Sequence, residues 1–159
     1  MDLRRAVFAA LALAFAGWAA VEARHLPVRD THGIRRCGPS RAEVEARFAP
    51  IRRQIESGRV EEALLSLRPM AEKGAYRGYA RFWLGEIAFR QGAYAQAVRA
   101  YRRAVEQAPD LGDRDGPFGA RRALEVRLAF LRKGPWARNP PREVRDLYYL
   151  QRRLAGGCE

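Results

Sequence analysis

Residues 78–111 read GYARFWLGEIAFRQGAYAQAVRAYRRAVEQAPDL, and this stretch decides the fold of the chain. In its second half, Tyr94, Val98 and Tyr101 recur at the spacing of one apolar helix face. Gly92 lies between the two halves, where a helical hairpin needs a turn and where glycine tolerates a left-handed backbone. The stretch therefore predicts two helices that fold back on each other around Gly92.

A weaker copy of the same pattern lies 34 residues upstream, over about 44–77. A fixed period of this length is typical of stacked helix pairs. Folds of this kind usually present an extended binding surface. The paired positions are Gly58 with Gly92, Val60 with Tyr94, Ala63 with Ala97, Leu67 with Tyr101, and Met70 with Ala104.

The stretch resembles the tetratricopeptide repeat (TPR). That pattern has Leu-Gly in its first helix and a Gly-x-Tyr turn, followed by small, aromatic, small and Pro positions. Arg81 departs from it, because the family often has Trp there. The upstream copy has Pro50 and Ile51 where Leu-Gly belongs, and Pro69 is expected to kink or shorten its second helix. The matching residues are Leu84, Gly85, Gly92, Tyr94, Ala97, Tyr101, Ala104 and Pro109.

The expected fold is all-α, a short TPR-like stack of about two repeats with C-terminal capping helices. The helical domain would span 41–133, with repeats over about 44–77 and 78–111. A capping helix is expected over 117–133, and a loop and a last amphipathic helix over 134–159. The individual helices are expected over 41–57, 60–73, 78–91, 94–107, 117–133 and about 142–155.

The N-terminal residues 1–23 look like a targeting segment. Arg4 and Arg5 precede an uncharged run over 6–21, which is shorter than the roughly 20 residues that span a bilayer comfortably. The segment fits either a cleaved signal peptide or an uncleaved anchor. Both predict a bacterial protein that is periplasmic, or anchored in the inner membrane and facing the periplasm. A linker is expected over 24–40.

The formal net charge of +12 bears on the class of partner. The basic residues are almost all Arg and are spread along the chain, without a dense run or an interleaved aromatic platform. A diffuse basic surface suits an acidic partner, an anionic membrane surface or an acidic polysaccharide. Nucleic acid is not expected, because it does not fit the exported compartment.

The sequence contains no constellation that indicates catalysis, a metal or a cofactor. His25 and His32 lie in the linker without the further ligands that a metal site needs. Cys37 and Cys158 lie on either side of the helical core. In an exported protein they could form a disulfide with each other, and two unpaired thiols or a bond to another chain are the alternatives. We therefore expect a protein that is not an enzyme and has no cofactor.

The resemblance to the TPR family implies a binding site on the concave face, which the first helix of each repeat lines. Aromatic and charged groups there would hold an extended or helical peptide. In the alternative, the C-terminal helix covers Phe82 and Phe89 and occupies the groove itself. The implied groove residues are Tyr79, Phe82, Glu86, Phe89 and Arg90 from the second repeat, and Glu45, Phe48, Arg52, Ile55 and Glu56 from the first.

Two functions are consistent with these patterns. The first is a non-enzymatic scaffold protein of the bacterial cell envelope, which binds a partner peptide or protein through its concave face. The alternative is a basic adaptor that binds an anionic ligand, such as lipid head groups or acidic polysaccharide, through its Arg-rich surface. Salt would distinguish them, because binding driven by Arg should weaken more steeply than capture by aromatic groups.

Overall fold

The computed structural model describes residues 38–156, and α-helices account for most of them. No β-strand occurs in this described range, so the expected all-α fold is confirmed. The helices are α1 (Arg41–Glu56), α2 (Val60–Glu72), α3 (Arg77–Arg90), α4 (Tyr94–Gln107), α5 (Ala120–Lys133) and α6 (Val144–Leu154). Two 3₁₀ helices, Pro109–Gly112 and Pro117–Gly119, lie between α4 and α5.

Several expectations fall outside the described residues. These are the targeting segment over 1–23, most of the linker, and the pairing of Cys37 with Cys158. They stay predictions. Between residues 38 and 156, no helix is both long enough and apolar enough to cross a membrane.

The turns of the two helical hairpins have the same hydrogen bonds at a spacing of 34 residues. In the α1–α2 turn the Arg59 amide donates to the Gln54 carbonyl over 2.8 Å, and in the α3–α4 turn the Ala93 amide donates to the Ala88 carbonyl over 2.9 Å. Gly58 and Gly92 supply the left-handed residue of each turn, with φ of 79° and 77°. The 34-residue repeat in the sequence therefore corresponds to a repeat in the backbone geometry of the two turns.

The helices α3 and α4 approach closely at Gly85. A Cβ atom at Gly85 would lie 2.6 Å from the ring of Tyr101, which is fully buried in α4. Only a residue without a side chain allows this approach. The Leu-Gly element of the pattern thus acts as the contact point of the second hairpin.

The C-terminal helices close one end of the stack. In α6 the residues Leu147, Leu150 and Leu154 are buried, and the helix packs against α4 and α5. These residues form one stripe at helical spacing, so the expectation that the last helix docks on the stack is confirmed. In α5, Leu124 and Leu128 make the corresponding buried stripe.

Pro69 does not shorten its helix, so the expectation of an early end is wrong. The helix α2 continues through Pro69 to Glu72, just as α1 continues through Pro50. Both prolines lie on exposed faces. There, water can hydrogen-bond the carbonyl group that loses its helical N–H donor.

The segment over 117–133 is also not a single helix as expected. It begins with the short 3₁₀ helix at Pro117–Gly119, and α5 begins only at Ala120. Phe118 between them has φ of 63°, and among the described residues it is the only one besides glycine with positive φ. The left-handed backbone at Phe118 and Gly119 changes the chain direction before α5.

Candidate functional site

Phe118 fills the middle of the face on which the groove was expected. Its ring centroid lies 5.3 Å from that of Trp83, 5.7 Å from Phe48, 6.1 Å from Phe82 and 6.4 Å from Tyr79. These separations are typical of favourable stacked and edge-to-face aromatic pairs. The chain thus supplies its own aromatic side chain to the inner surface of α1 and α3.

Three of the predicted binding residues are consequently part of the core. Phe48, Tyr79 and Phe82 are 0%, 5% and 2% exposed. The Tyr79 hydroxyl also donates a hydrogen bond to Asp110 over 2.8 Å. These side chains lie beneath the surface of the site and support it. The covering element is the turn before α5, whereas the alternative expectation assigned it to the C-terminal helix.

Glu86 was expected in the groove and is a buried carboxylate. Its Oε1 accepts a hydrogen bond from the Tyr101 hydroxyl over 2.7 Å, and its Oε2 accepts one from Arg127 Nη2 over 3.2 Å. Burial and the neighbouring Glu86 raise the pKa of Tyr101 far above its usual range. A buried charge needs a paired, hydrogen-bonded environment of this kind. The hydrogen bonds of Glu86 with Tyr101 and Arg127 therefore join α3, α4 and α5.

Phe89 and Arg90 lie at the end of α3. Phe89 is half-buried, with its ring 5.2 Å from Tyr94 and 5.7 Å from Phe130 between centroids. Arg127 stacks on the Phe89 ring at 4.8 Å. Arg90 is exposed. Phe89 and Arg90 are therefore separated from the aromatic rings around Phe118 by Glu86 and its two hydrogen-bond partners. The structure does not bring all the predicted residues into one site.

A pocket of about 430 Å³ remains open beside Phe118. Trp83 and Phe118 form its apolar wall, and charged residues of α1 form its rim. Arg41 donates to Glu45 over 2.8 Å, and this hydrogen bond lowers the pKa of Glu45. The rim thus carries two cations and one carboxylate at neutral pH. The residues that define this pocket, here called the concave pocket, are Arg41, Glu45, Phe48, Arg52, Trp83 and Phe118.

Trp83 lines the concave pocket and is itself almost fully buried. Its Nε1 is buried and has no hydrogen-bond partner among the described residues. Buried tryptophan N–H groups usually have one, so this group is an exception to the rule.

The sequence patterns did not indicate Trp83 or Phe118 as site residues. Trp83 lies two positions after Arg81, which departs from the pattern where the family often has Trp. Phe118 lies in the segment over 117–133 that was expected to be one capping helix. Only the reversal of the chain at Phe118 and Gly119 shows that its ring turns into the groove.

The described part of the chain holds no group of three or more metal-ligating side chains. The concave pocket has an apolar wall and a charged rim, and a hydrogen bond joins Arg41 to Glu45 within the rim. This arrangement suits recognition of a side chain or a short peptide.

Comparison with known families agrees with the hairpin geometry. Residues 78–111 match the model of the tetratricopeptide repeat family. The match covers helices α3 and α4 and the turn around Gly92. Repeats of this family generally mediate protein–protein interaction and are generally not catalytic. No curated protein and no solved structure matches the chain.

Proposed function

We propose that this chain is a non-enzymatic scaffold protein that binds a partner peptide or protein at the concave pocket. The observation that carries the proposal is the composition of that pocket, an aromatic wall under a charged rim. Aromatic groups flanked by polar ones are the usual anchors of protein interfaces.

The size of the pocket favours a short contact. A pocket of about 430 Å³ holds a few side chains and not a whole helix. Two hairpins also present less concave surface than a long repeat array. We infer that the partner inserts an apolar side chain against Trp83 and Phe118. A neighbouring carboxylate of the partner would then meet Arg52, which is exposed and, among the described residues, bonded only to Glu56 of its own helix.

We place this scaffold in the bacterial cell envelope, either in the periplasm or anchored in the inner membrane and facing the periplasm. The support is the sequence of residues 1–23, in which a positively charged start precedes a short apolar run. A fusion of residues 1–40 to alkaline phosphatase, which is active only after export, tests this part. An inactive fusion would refute the location in the cell envelope. It would not bear on the proposal that the concave pocket binds a partner.

Site-specific photo-crosslinking in cells tests the binding site. A photoreactive residue at the exposed position Ala49, which lines the concave pocket, should give a discrete adduct. The same residue at the exposed position Glu125 in α5 is the matched control and should give none. The adduct at Ala49 should also disappear when Arg52→Glu is introduced. Equal adducts at both positions, or an adduct that survives Arg52→Glu, would show that the concave pocket is not the binding site.

A further inference from the structure

A second cleft, of about 400 Å³, opens between α2 and α4 with α3 as its floor. Its lining contains four arginines and no acidic residue, and the floor is apolar. It shares no residue with the concave pocket, because the two use different faces of α3. The residues on which the inference rests are Arg68, Arg81, Arg99 and Arg103, together with Leu64 and Leu84.

Three of the four cations in this arginine cleft have no carboxylate of their own among the described residues. Elsewhere, Arg41 and Arg121 bond to a glutamate one helical turn away. In the cleft, Arg99 pairs with Glu143. Arg68, Arg81 and Arg103 have no ion-pair partner within residues 38–156.

Arg81 carries the strongest indication that the arginine cleft receives an acceptor. It lies in α3 at the cleft floor, and its Nε is buried without a hydrogen-bond partner in the described structure. A buried donor without an acceptor is unfavourable, and a planar guanidinium matches a carboxylate geometrically. A carboxylate in the cleft would satisfy this group and neutralise part of the local charge.

We propose that the arginine cleft binds an acidic peptide segment in which apolar side chains alternate with carboxylates. The carboxylates would pair with Arg68, Arg81 and Arg103, and an apolar side chain would pack on Leu64 and Leu84. The apolar floor is what favours a peptide over an inorganic anion or an acidic polysaccharide, since neither of those can use it. This cleft lies between the two repeats and on the side of α3 away from Trp83. Its occupant is therefore separate from the ligand of the concave pocket.

The test measures binding of the full-length chain to a short fluorescent peptide of alternating Glu and Leu, by fluorescence anisotropy. A matched peptide of alternating Lys and Leu is the first control and should not bind. The triple variant Arg68→Gln, Arg81→Gln, Arg103→Gln should bind the acidic peptide at least about tenfold more weakly. Because Arg81 is half-buried, the double variant Arg68→Gln, Arg103→Gln, at two exposed sites, is measured as well and should lose at least about threefold.

A second triple variant separates a cleft from general attraction between opposite charges. Arg122, Arg132 and Arg145 are exposed and have no ion-pair partner in the described range. Changing all three to Gln removes the same charge and should leave the affinity within about twofold. Equal weakening by both triple variants would overturn the proposal, and so would failure of the acidic peptide to bind.

Competitors identify the source of the anion. Inorganic phosphate, heparin and vesicles with anionic lipid are added to the complex in turn. If the proposal is right, the double variant Arg68→Gln, Arg103→Gln should bind each of these three probes as the wild-type chain does. If one of these probes binds more tightly than the peptide, and the double variant loses that binding, then the probe and not the peptide represents the ligand of the cleft. The variant Arg52→Glu removes the cation proposed for the concave pocket. The peptide binding that this variant retains, and that Arg68→Gln with Arg103→Gln then weakens, therefore belongs to the cleft. Failure of the concave pocket and failure of the cleft are distinguishable in this way.

Discussion

Replacing Phe118 by glycine should harm the protein less than replacing it by alanine. Either substitution removes the aromatic ring that contacts Phe48 and Trp83, so both variants should be less stable than the wild type. Loss of this half-buried ring should lower the free energy of unfolding by about 2–3 kcal/mol, below the value for a fully buried Phe. The difference between the two variants then isolates the backbone.

The sign of that difference follows from the backbone angle. Phe118 has φ of 63°, a region that costs an L-residue about 1–2 kcal/mol and costs glycine little. The glycine variant loses about 0.4–1 kcal/mol of this advantage, because glycine gives the unfolded chain more conformational freedom. The glycine variant should therefore be more stable than the alanine variant by about 0.5–1 kcal/mol.

Urea unfolding followed by circular dichroism measures both values, and Val126 supplies the matched control. Val126 is 55% exposed in the middle of α5. At that position the alanine variant should be the more stable one by about 1 kcal/mol, as in any exposed helix interior. The order should thus reverse between positions 118 and 126. An alanine variant at 118 that is as stable as the glycine variant would refute the left-handed backbone at Phe118.

Two further predictions concern the core between α3 and α4. Gly85→Ala should lower the free energy of unfolding by about 1–2 kcal/mol, because the new methyl group meets the buried Tyr101 ring and this overpacking exceeds the gain in helix propensity. Gly112→Ala, whose Cβ would have its nearest neighbour at 3.7 Å, should change stability by less than about 0.5 kcal/mol in the same urea titration, and equal effects would contradict the close approach. In the folded protein at pH about 11, Tyr101 should stay protonated, because burial and Glu86 raise its pKa. The ultraviolet absorbance of phenolate should therefore be the same in Tyr101→Phe as in the wild type, and a lower absorbance in Tyr101→Phe would contradict the buried environment of Tyr101.

The same pKa shift gives a direction to the pH dependence of stability. Below the ordinary tyrosine pKa of about 10, the phenol of Tyr101 is neutral in both the folded and the unfolded chain. Above that value the unfolded chain loses this proton first, while the folded chain keeps it. Tyr101 therefore contributes to a loss of stability as the pH rises beyond about 10.

The helices could be predicted to within a few residues because local signals mark their ends. Ser40 caps α1 with Glu43 in a capping box, and Gly58 and Gly92 form the turns. Such signals depend on residues close in the sequence, so a single chain displays them. The effect of Pro69 was misjudged, because it depends on whether the affected carbonyl faces water, which is a tertiary property.

The candidate sites could be predicted only in part, because they depend on which distant residues meet. Phe118 enters the groove through a backbone conformation that its residue type disfavours, so the pattern of apolar positions cannot indicate it. The arginine cleft collects Arg68, Arg81 and Arg103 from three helices. Along the sequence these residues form no run, and the even spread of charge concealed the place where three cations without acidic partners converge.

The pairing of Glu86 bears on how the chain is made. Its tyrosine partner follows 15 residues later, but its cation, Arg127, follows 41 residues later. During synthesis the second hairpin is therefore complete before the arginine that neutralises its buried carboxylate has been added. A nascent hairpin at that stage either stays open or buries a charge without its counterion, and burial of such a charge is strongly disfavoured. Premature termination before residue 127 would then leave a loosely folded product that proteases can cleave. Compact folding of the second hairpin would thus be limited to chains long enough to contain Arg127.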